Sequence, residues 1–129
     1  MRATCSNCGK PSKYGHIDGL CLDCYSQRHS AGEIRIRVNQ EKLFDYLDDK
    51  SCMDCGVPDS RVLQFDHVRG EKVGNVAEMV TRGYGWESIL AEIAKCDIVC
   101  ANCHSLRTAK RGRYWRADLS TADIADLED

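Results

Sequence analysis

Four Cys-x-x-Cys pairs constrain this chain more than any other feature. They are Cys5/Cys8, Cys21/Cys24, Cys52/Cys55 and Cys100/Cys103, and they use eight of the nine cysteines in 129 residues. Two such pairs supply the four thiolates of one tetrahedral zinc, closing its coordination sphere. Four pairs predict two structural zincs, one held by Cys5, Cys8, Cys21 and Cys24 and the other by Cys52, Cys55, Cys100 and Cys103. One isolated pair can be a redox motif; four together favour metal over a thiol switch. Cys96 is left over and reads as a small packing residue. A chain this short buries a limited core, and small folds often substitute metals for core.

The start, Met1-Arg2-Ala3-Thr4-Cys5, lacks the apolar run of a secretory leader. No stretch approaches the roughly 20 apolar residues of a membrane span. A reducing cytoplasm, with no membrane partner, is the expected setting, and reduced cysteines suit it.

Residues 1–29 read as a self-contained zinc module, a zinc ribbon or treble-clef knuckle. Gly9 follows its first pair, and a hairpin is expected over Tyr14–Leu20. His16 and His29 read as surface residues. Residues 30–50 read as a linker and a helix. In the linker Ile34, Ile36 and Val38 alternate with Arg35 and Arg37, which fits a strand or an extended basic segment. The helix is expected to start at Asn39 as N-cap, with Val38 and Leu43 as a hydrophobic staple and Leu43, Phe44 and Leu47 as its apolar face. A strand is expected over Arg61–Val68. Asn75 and Glu78 resemble a capping box, and that helix stops at Gly83. Trp86, Ile89, Leu90, Ile93 and Ala94 follow with helical periodicity. Asp97-Ile98-Val99 is a short strand, and a helix runs from Cys100 to about Lys110. It places His104, Arg107, Thr108 and Arg111 on one face, with Cys103 toward zinc and Leu106 toward the core.

These elements form a strand, an excursion of two helices, a second strand and a helix, tied at both ends by the second zinc. Asp66 at the end of the first strand and His104 on the last helix can share one divalent cation. His67 is available as a general base, because imidazole titrates near neutrality. This set suits metal-assisted hydrolysis of a phosphodiester. A regular strand sends Asp66 and His67 to opposite faces, so both reach one phosphate only if the chain bends near Val68-Arg69-Gly70.

The residues Cys52-x-x-Cys55, Leu63-Gln64-Phe65-Asp66-His67-Val68-x-Gly70-x-Lys72 and Glu92-Ile93-x-Lys95-Cys96-Asp97-Ile98-Val99-Cys100-x-Asn102-Cys103-His104-x-x-Arg107-Thr108 resemble the HNH endonuclease family, in its small zinc-bound form common in bacteriophages. The resemblance covers about residues 50–110. It implies a small zinc-stabilised α+β chain with a treble-clef-like ββα-metal nuclease domain at 51–116, and divalent-metal-dependent nicking or cleavage of DNA. By position, Asp66 and His104 would be metal ligands and His67 the general base. Magnesium is the expected ion, with manganese or nickel as alternatives. The asparagine behind the family's middle letter falls here at Lys95, and Asn102 is a candidate to take over its bracing role. A third protein ligand would fall at Thr108. The alternative is a non-catalytic zinc protein that binds DNA or acts as an adaptor in phage packaging or regulation. A phage-encoded chain would work in the host cytoplasm.

DNA is also the partner that charge points to. Arg107, Lys110, Arg111, Arg113 and Arg116 cluster without an acid and with Tyr114 and Trp115 among them, a pattern that meets phosphates. Lys72, Arg35 and Arg37 are further candidates. The chain carries -2; Asp118, Asp123, Asp126, Glu128 and Asp129 give 117–129 a charge of -5, so residues 1–116 carry +3. The acidic tail is expected to be disordered and to screen the basic cluster. The N-terminal module reads equally as a DNA-preference element or a protein-docking unit, and oligomeric state is left open.

Overall fold

A computed structural model describes residues 3–112 of the chain. The cluster Arg113–Arg116 and the acidic tail 117–129 lie outside the described residues. Over the described residues the protein is a small α+β structure with two two-stranded antiparallel sheets. No helix among the described residues is long and apolar enough to cross a membrane.

The N-terminal module begins with β1 (Ala3–Thr4) and β2 (Pro11–Ser12), paired Ala3 to Ser12 and Thr4 to Pro11. They flank the first cysteine knuckle. Residues 14–20, expected as a hairpin, form successive turns instead, and the pairing lies upstream of them. Helix α1 (Leu22–Ser26) completes the module. Cys5, Leu20 and Cys24 are its small buried core.

Helix α2 (Ala31–Asp48) replaces the expected linker and begins well before Asn39. Ser30 is its N-cap, accepting from the Glu33 N–H at 3.3 Å and bonding the Glu33 carboxylate at 3.1 Å. That is a side-chain N-cap at a Ser-x-x-Glu start, and it outweighs the strand-like alternation of Ile34, Ile36 and Val38. The helix turns Arg37 inward, where it is 1% exposed. Its guanidinium donates to Asp18 at 2.7 Å, to the Leu20 carbonyl at 2.9 Å, to the Tyr14 carbonyl at 3.2 Å and to Glu41 at 3.1 Å. Arg37 is thus a buried staple rather than part of a basic linker. Arg35 donates to the Gly83 carbonyl, and Asn39, also buried, donates to the Tyr84 carbonyl at 2.7 Å. Phe44 is half-exposed and stacks on Tyr14.

A 3-10 turn (Ser60–Val62) leads into β3 (Leu63–His67). Helices α3 (Val76–Thr81) and α4 (Trp86–Ile93) follow, then β4 (Cys96–Cys100) and α5 (Ala101–Arg111). Asn75 is the N-cap of α3 but makes no side-chain cap bond; its amide bonds Glu78 directly, so the expected capping box is absent there. Gly83, at φ +76°, takes the left-handed turn between the two helices, a conformation side chains resist.

Strands β3 and β4 pair antiparallel with Leu63 opposite Cys100, Asp66 opposite Asp97 and His67 opposite Cys96. Two core clusters meet at Leu43, Tyr46 and Phe65: one of Val76, Met79, Val80, Ile89, Ile93 and Cys96, the other of Leu47, Cys52, Leu63, Val99 and Cys100. Cys96 is a packing residue, and burial pushes its thiol up to about 11. Leu106, expected to face the core, is 61% exposed, because α5 packs on the sheet through the face carrying Cys103 and Arg107.

Candidate functional site

In each of two sulfur cages the four ligand atoms lie within 4.8 Å of one another: Cys5, Cys8, Cys21 and Cys24 in one, Cys52, Cys55, Cys100 and Cys103 in the other. The Cys8 and Cys21 sulfurs are 3.8 Å apart, and those of Cys55 and Cys100 3.7 Å. Two thiolates on one zinc, each bonded at about 2.3 Å, take such a separation. The backbone N–H of Cys8 points at the Cys5 sulfur, that of Cys55 at Cys52, and that of Cys103 at Cys100. Gly9 and Gly56 turn the chain after the knuckles at φ +73° and +81°.

The sulfurs are too crowded to ionise together unaided. Burial works against the Cys52 thiolate, but the backbone N–H groups around it prevail and bring the thiol down to about 6. The neighbouring Cys100 sulfur drives Cys103 strongly upward. Four acids in such contact call for a cation among them. Both groups are compatible with a structural zinc, and four sulfurs leave no ligand position for a substrate.

The second cage fixes the geometry of what lies beside it. Cys100 ends β4 and is also the N-cap of α5, its sulfur accepting the Cys103 N–H. Helix α5 therefore leaves the sheet at a set angle, and its successive turns bring His104, Arg107 and Arg111 over the Gln64 and Asp66 side of β3.

Asp66 is 2% exposed. Arg111 grips both of its oxygens, at 2.6 and 2.7 Å, and Arg107 adds a third bond at 2.9 Å. The Arg111 bonds, helped by Arg107 and opposed by burial, hold the carboxyl at about 2. His104 Nε2 stands 3.6 Å from Asp66 Oδ1. That is too long for a hydrogen bond, yet two donors to one cation can span it. His104 Nδ1 meets Gln64 Oε1 at 2.8 Å. A carbonyl oxygen only accepts, so Nδ1 is the donor to Gln64, which leaves Nε2 on the Asp66 side. A metal-ligating imidazole is held the same way, donating from one ring nitrogen and turning the other to the ion. A hard carboxylate with one imidazole fits a divalent cation that keeps several waters.

His67 points from the other face of β3. Strand pairing is regular through His67, so Asp66 and His67 diverge as alternation requires. The chain departs only afterwards, where Val68 and Arg69 both donate to the Lys95 carbonyl. His67 Nε2 lies 2.8 Å from Glu92 Oε2. Glu92 is 1% exposed and also accepts from Lys95 at 2.8 Å and from the N–H groups of Val73 and Gly74. Burial would raise its carboxyl, but Lys95, His67 and the two N–H groups overcome that and hold it at about 2. A carboxylate accepts only, so His67 donates from Nε2, and Nδ1 is the lone-pair nitrogen of the neutral ring.

Lys95 braces the loop after β3. Its Nζ donates to the Glu71 carbonyl at 2.6 Å, and its stem runs 3.5 Å from where a Cβ on Gly70 would stand. Asn102 instead sits exposed at the second sulfur cage, beside Cys55, Val57 and Val62. His67 and His104 both line a cleft of about 430 Å³ with Gln64, Asn75, Leu43 and Phe65.

Not every expected DNA contact faces outward. Arg107 commits its donors to Asp54 at 2.7 Å through two bonds, to Asp97 at 2.9 Å and to Asp66. Arg111 is on Asp66. Lys72 and Lys110 are exposed; Arg113 and Arg116 lie outside the described residues, and Thr108 is exposed on α5. Sequence reasoning assigned no role to Glu92, Gln64, Asp54 or Asp97. One signal was available: Glu92 falls three residues after Ile89, on the buried stripe of α4, where an acid requires a partner.

No protein-family model, curated protein or solved structure matches the chain.

Proposed function

We propose that the chain is an HNH-type, metal-dependent DNA endonuclease that hydrolyses phosphodiester bonds on a ββα-metal scaffold of β3, β4 and α5. The observation carrying this reading is a candidate cation pair on one sulfur-tied unit, with His67 on the opposite strand face but lining one cleft with His104. Asp66 and a ligand-ready His104 Nε2 lie 3.6 Å apart, and the next strand residue is a histidine backed by a buried carboxylate. A magnesium, manganese or nickel ion held by Asp66 and His104 would polarise the phosphate and stabilise the leaving oxygen.

The chain's own residues supply the rest. Glu92 fixes the His67 ring by accepting from Nε2, which leaves Nδ1 for the attacking water. As the water oxygen bonds to phosphorus, its proton passes to Nδ1; the phosphorus–oxygen bond to the leaving group breaks, and that oxygen takes a proton from solvent. The resulting imidazolium stays paired with Glu92. Lys95 keeps Glu92 ionised and holds the 68–74 loop in place. Lys72, Lys110, Arg111 and, beyond the described residues, Arg113 and Arg116 meet DNA phosphates. Two zincs on the eight paired cysteines hold the scaffold.

A second reading is a non-catalytic DNA-binding or adaptor protein that keeps the scaffold. The observation favouring it is that Arg107 and Arg111 together occupy both oxygens of Asp66. Incubation with supercoiled plasmid and magnesium, manganese or nickel separates the two. The endonuclease converts plasmid to nicked or linear form, and His67→Ala lowers that rate by about 10²- to 10⁴-fold with zinc content unchanged. Tight, salt-sensitive DNA binding without nicking under any of the metals assigns the chain to the second reading.

A further inference from the structure

The two arginines on Asp66 are not equivalent. Arg107 is divided among Asp54, Asp66 and Asp97, and its side chain is 20% exposed. Arg111 has its hydrogen bonds on Asp66, and its side chain is 50% exposed. It is the last residue of α5, so its long side chain can swing to solvent without disturbing the helix. If Asp66 turned to another cation, Arg107 would stay anchored by Asp54 and Asp97. Arg111 would be released.

The carboxylate cannot serve both cations in this arrangement. Arg111 takes the two oxygens side on, in the fork geometry that matches a carboxylate. His104 Nε2 lies 3.6 Å from Oδ1, the same oxygen that Arg111 Nη1 engages at 2.6 Å. A divalent ion shared by Asp66 and His104 therefore competes with Arg111 for that oxygen. The displaced guanidinium keeps a planar set of donors that suits a phosphate as well as a carboxylate, and in sequence it is close to Lys110, Arg113 and Arg116.

We infer that Arg111 is an exchangeable counter-ion of Asp66: the divalent cation displaces it, and a DNA phosphate receives it. This rests on Asp66 being a metal ligand, as in the reading above. Linkage makes the effect reciprocal. DNA that captures Arg111 opens Asp66 to the ion, and the ion that takes Asp66 offers Arg111 to DNA. Without DNA, Arg111 weakens metal binding.

The test is manganese affinity of the zinc-loaded full chain without DNA, read from the free-manganese EPR signal. Arg111→Gln binds manganese tighter, on the order of tenfold. Lys110→Gln loses the same charge on the neighbouring residue and changes affinity by no more than about twofold. Unchanged or weaker binding by Arg111→Gln overturns the inference, as does an equal gain in Lys110→Gln, which would reflect only the general field. A magnesium titration of the unmodified protein by NMR gives a second readout: the Arg111 guanidinium protons lose their protection and those of Arg107 keep it. Retained Arg111 protection at saturating magnesium is contrary to the exchange. Exchange without plasmid nicking leaves this inference standing and removes the endonuclease reading. No manganese binding by any of the three proteins removes the metal site and the inference with it.

Discussion

The two sulfur cages repeat one local design and differ in what they hold. Each has a knuckle followed by a left-handed glycine, and each has an arginine staple. Arg37 pins the 14–20 loop of the first module through Asp18 and two carbonyls. Arg107 pins the second knuckle through Asp54. The first cage draws its cysteines from a short stretch and buries little besides Leu20. The second joins cysteines 45 residues apart and is part of the core with Leu47, Leu63 and Val99. The first staple stays within structural contacts. The second continues to Asp66 and Asp97. A knuckle that closes only its own loop stabilises a module; one that joins a strand to a helix also positions side chains from both.

Loss of a cage cysteine tests that difference most severely. Cys100→Ser removes a ligand, a helix cap and a core residue together, and is expected to abolish plasmid nicking and the cooperative unfolding of 31–112. Cys5→Ser is expected to lose one zinc and keep nicking within about tenfold, because only the first module depends on that ion. Zinc counting with the plasmid assay checks both, and equal loss in the two variants would erase the distinction. Next in size is Arg37→Ala, which leaves Asp18 and Glu41 without their buried partner. It should destabilise the protein to urea by about 3–5 kcal/mol without changing manganese affinity; a change in metal affinity would mean the first staple also serves the site. The smallest effect expected is that of Glu92→Gln. It keeps a carbonyl for His67 but loses the charge, and the nicking rate should fall about 10- to 100-fold with plasmid affinity unchanged. An unaltered rate would detach Glu92 from His67's role.

The cages were legible in the sequence because ligand identity and spacing fix them with little help from the rest of the fold. Strand β4 and helix α5 were legible for the same reason, since Cys100 marks their junction. Helix α4 showed in its apolar period. The beginning of α2 did not, because Ile34, Ile36 and Val38 alternate like a strand; the Ser-x-x-Glu start at Ser30 was the stronger signal. Arg37 and Arg107 were read as cations facing outward. Their partners, Asp18 and Asp54, lie 19 and 53 residues away, and only the folded chain brings them together. Asp66, His67 and His104 could be singled out from the sequence as candidates, whereas the Gln64 and Glu92 contacts to the two histidines depend on packing between elements and carry no local pattern.

Cys100 serves as strand end, helix cap and sulfur donor at once, and this sets where the chain tolerates changes in length. A helix turns by about 100° per residue. One residue inserted between Cys103 and His104 would swing the histidine away from Asp66 while leaving every sulfur in place. An insertion in the 68–74 loop shifts no donor in either cage and leaves the register of β3 against β4 intact. Insertions and deletions should therefore be excluded from the five residues Cys100–His104, whereas in the 68–74 loop they reach only the Val73 and Gly74 bonds to Glu92, so the short segment acts as a ruler between the sulfur cage and the acid it serves.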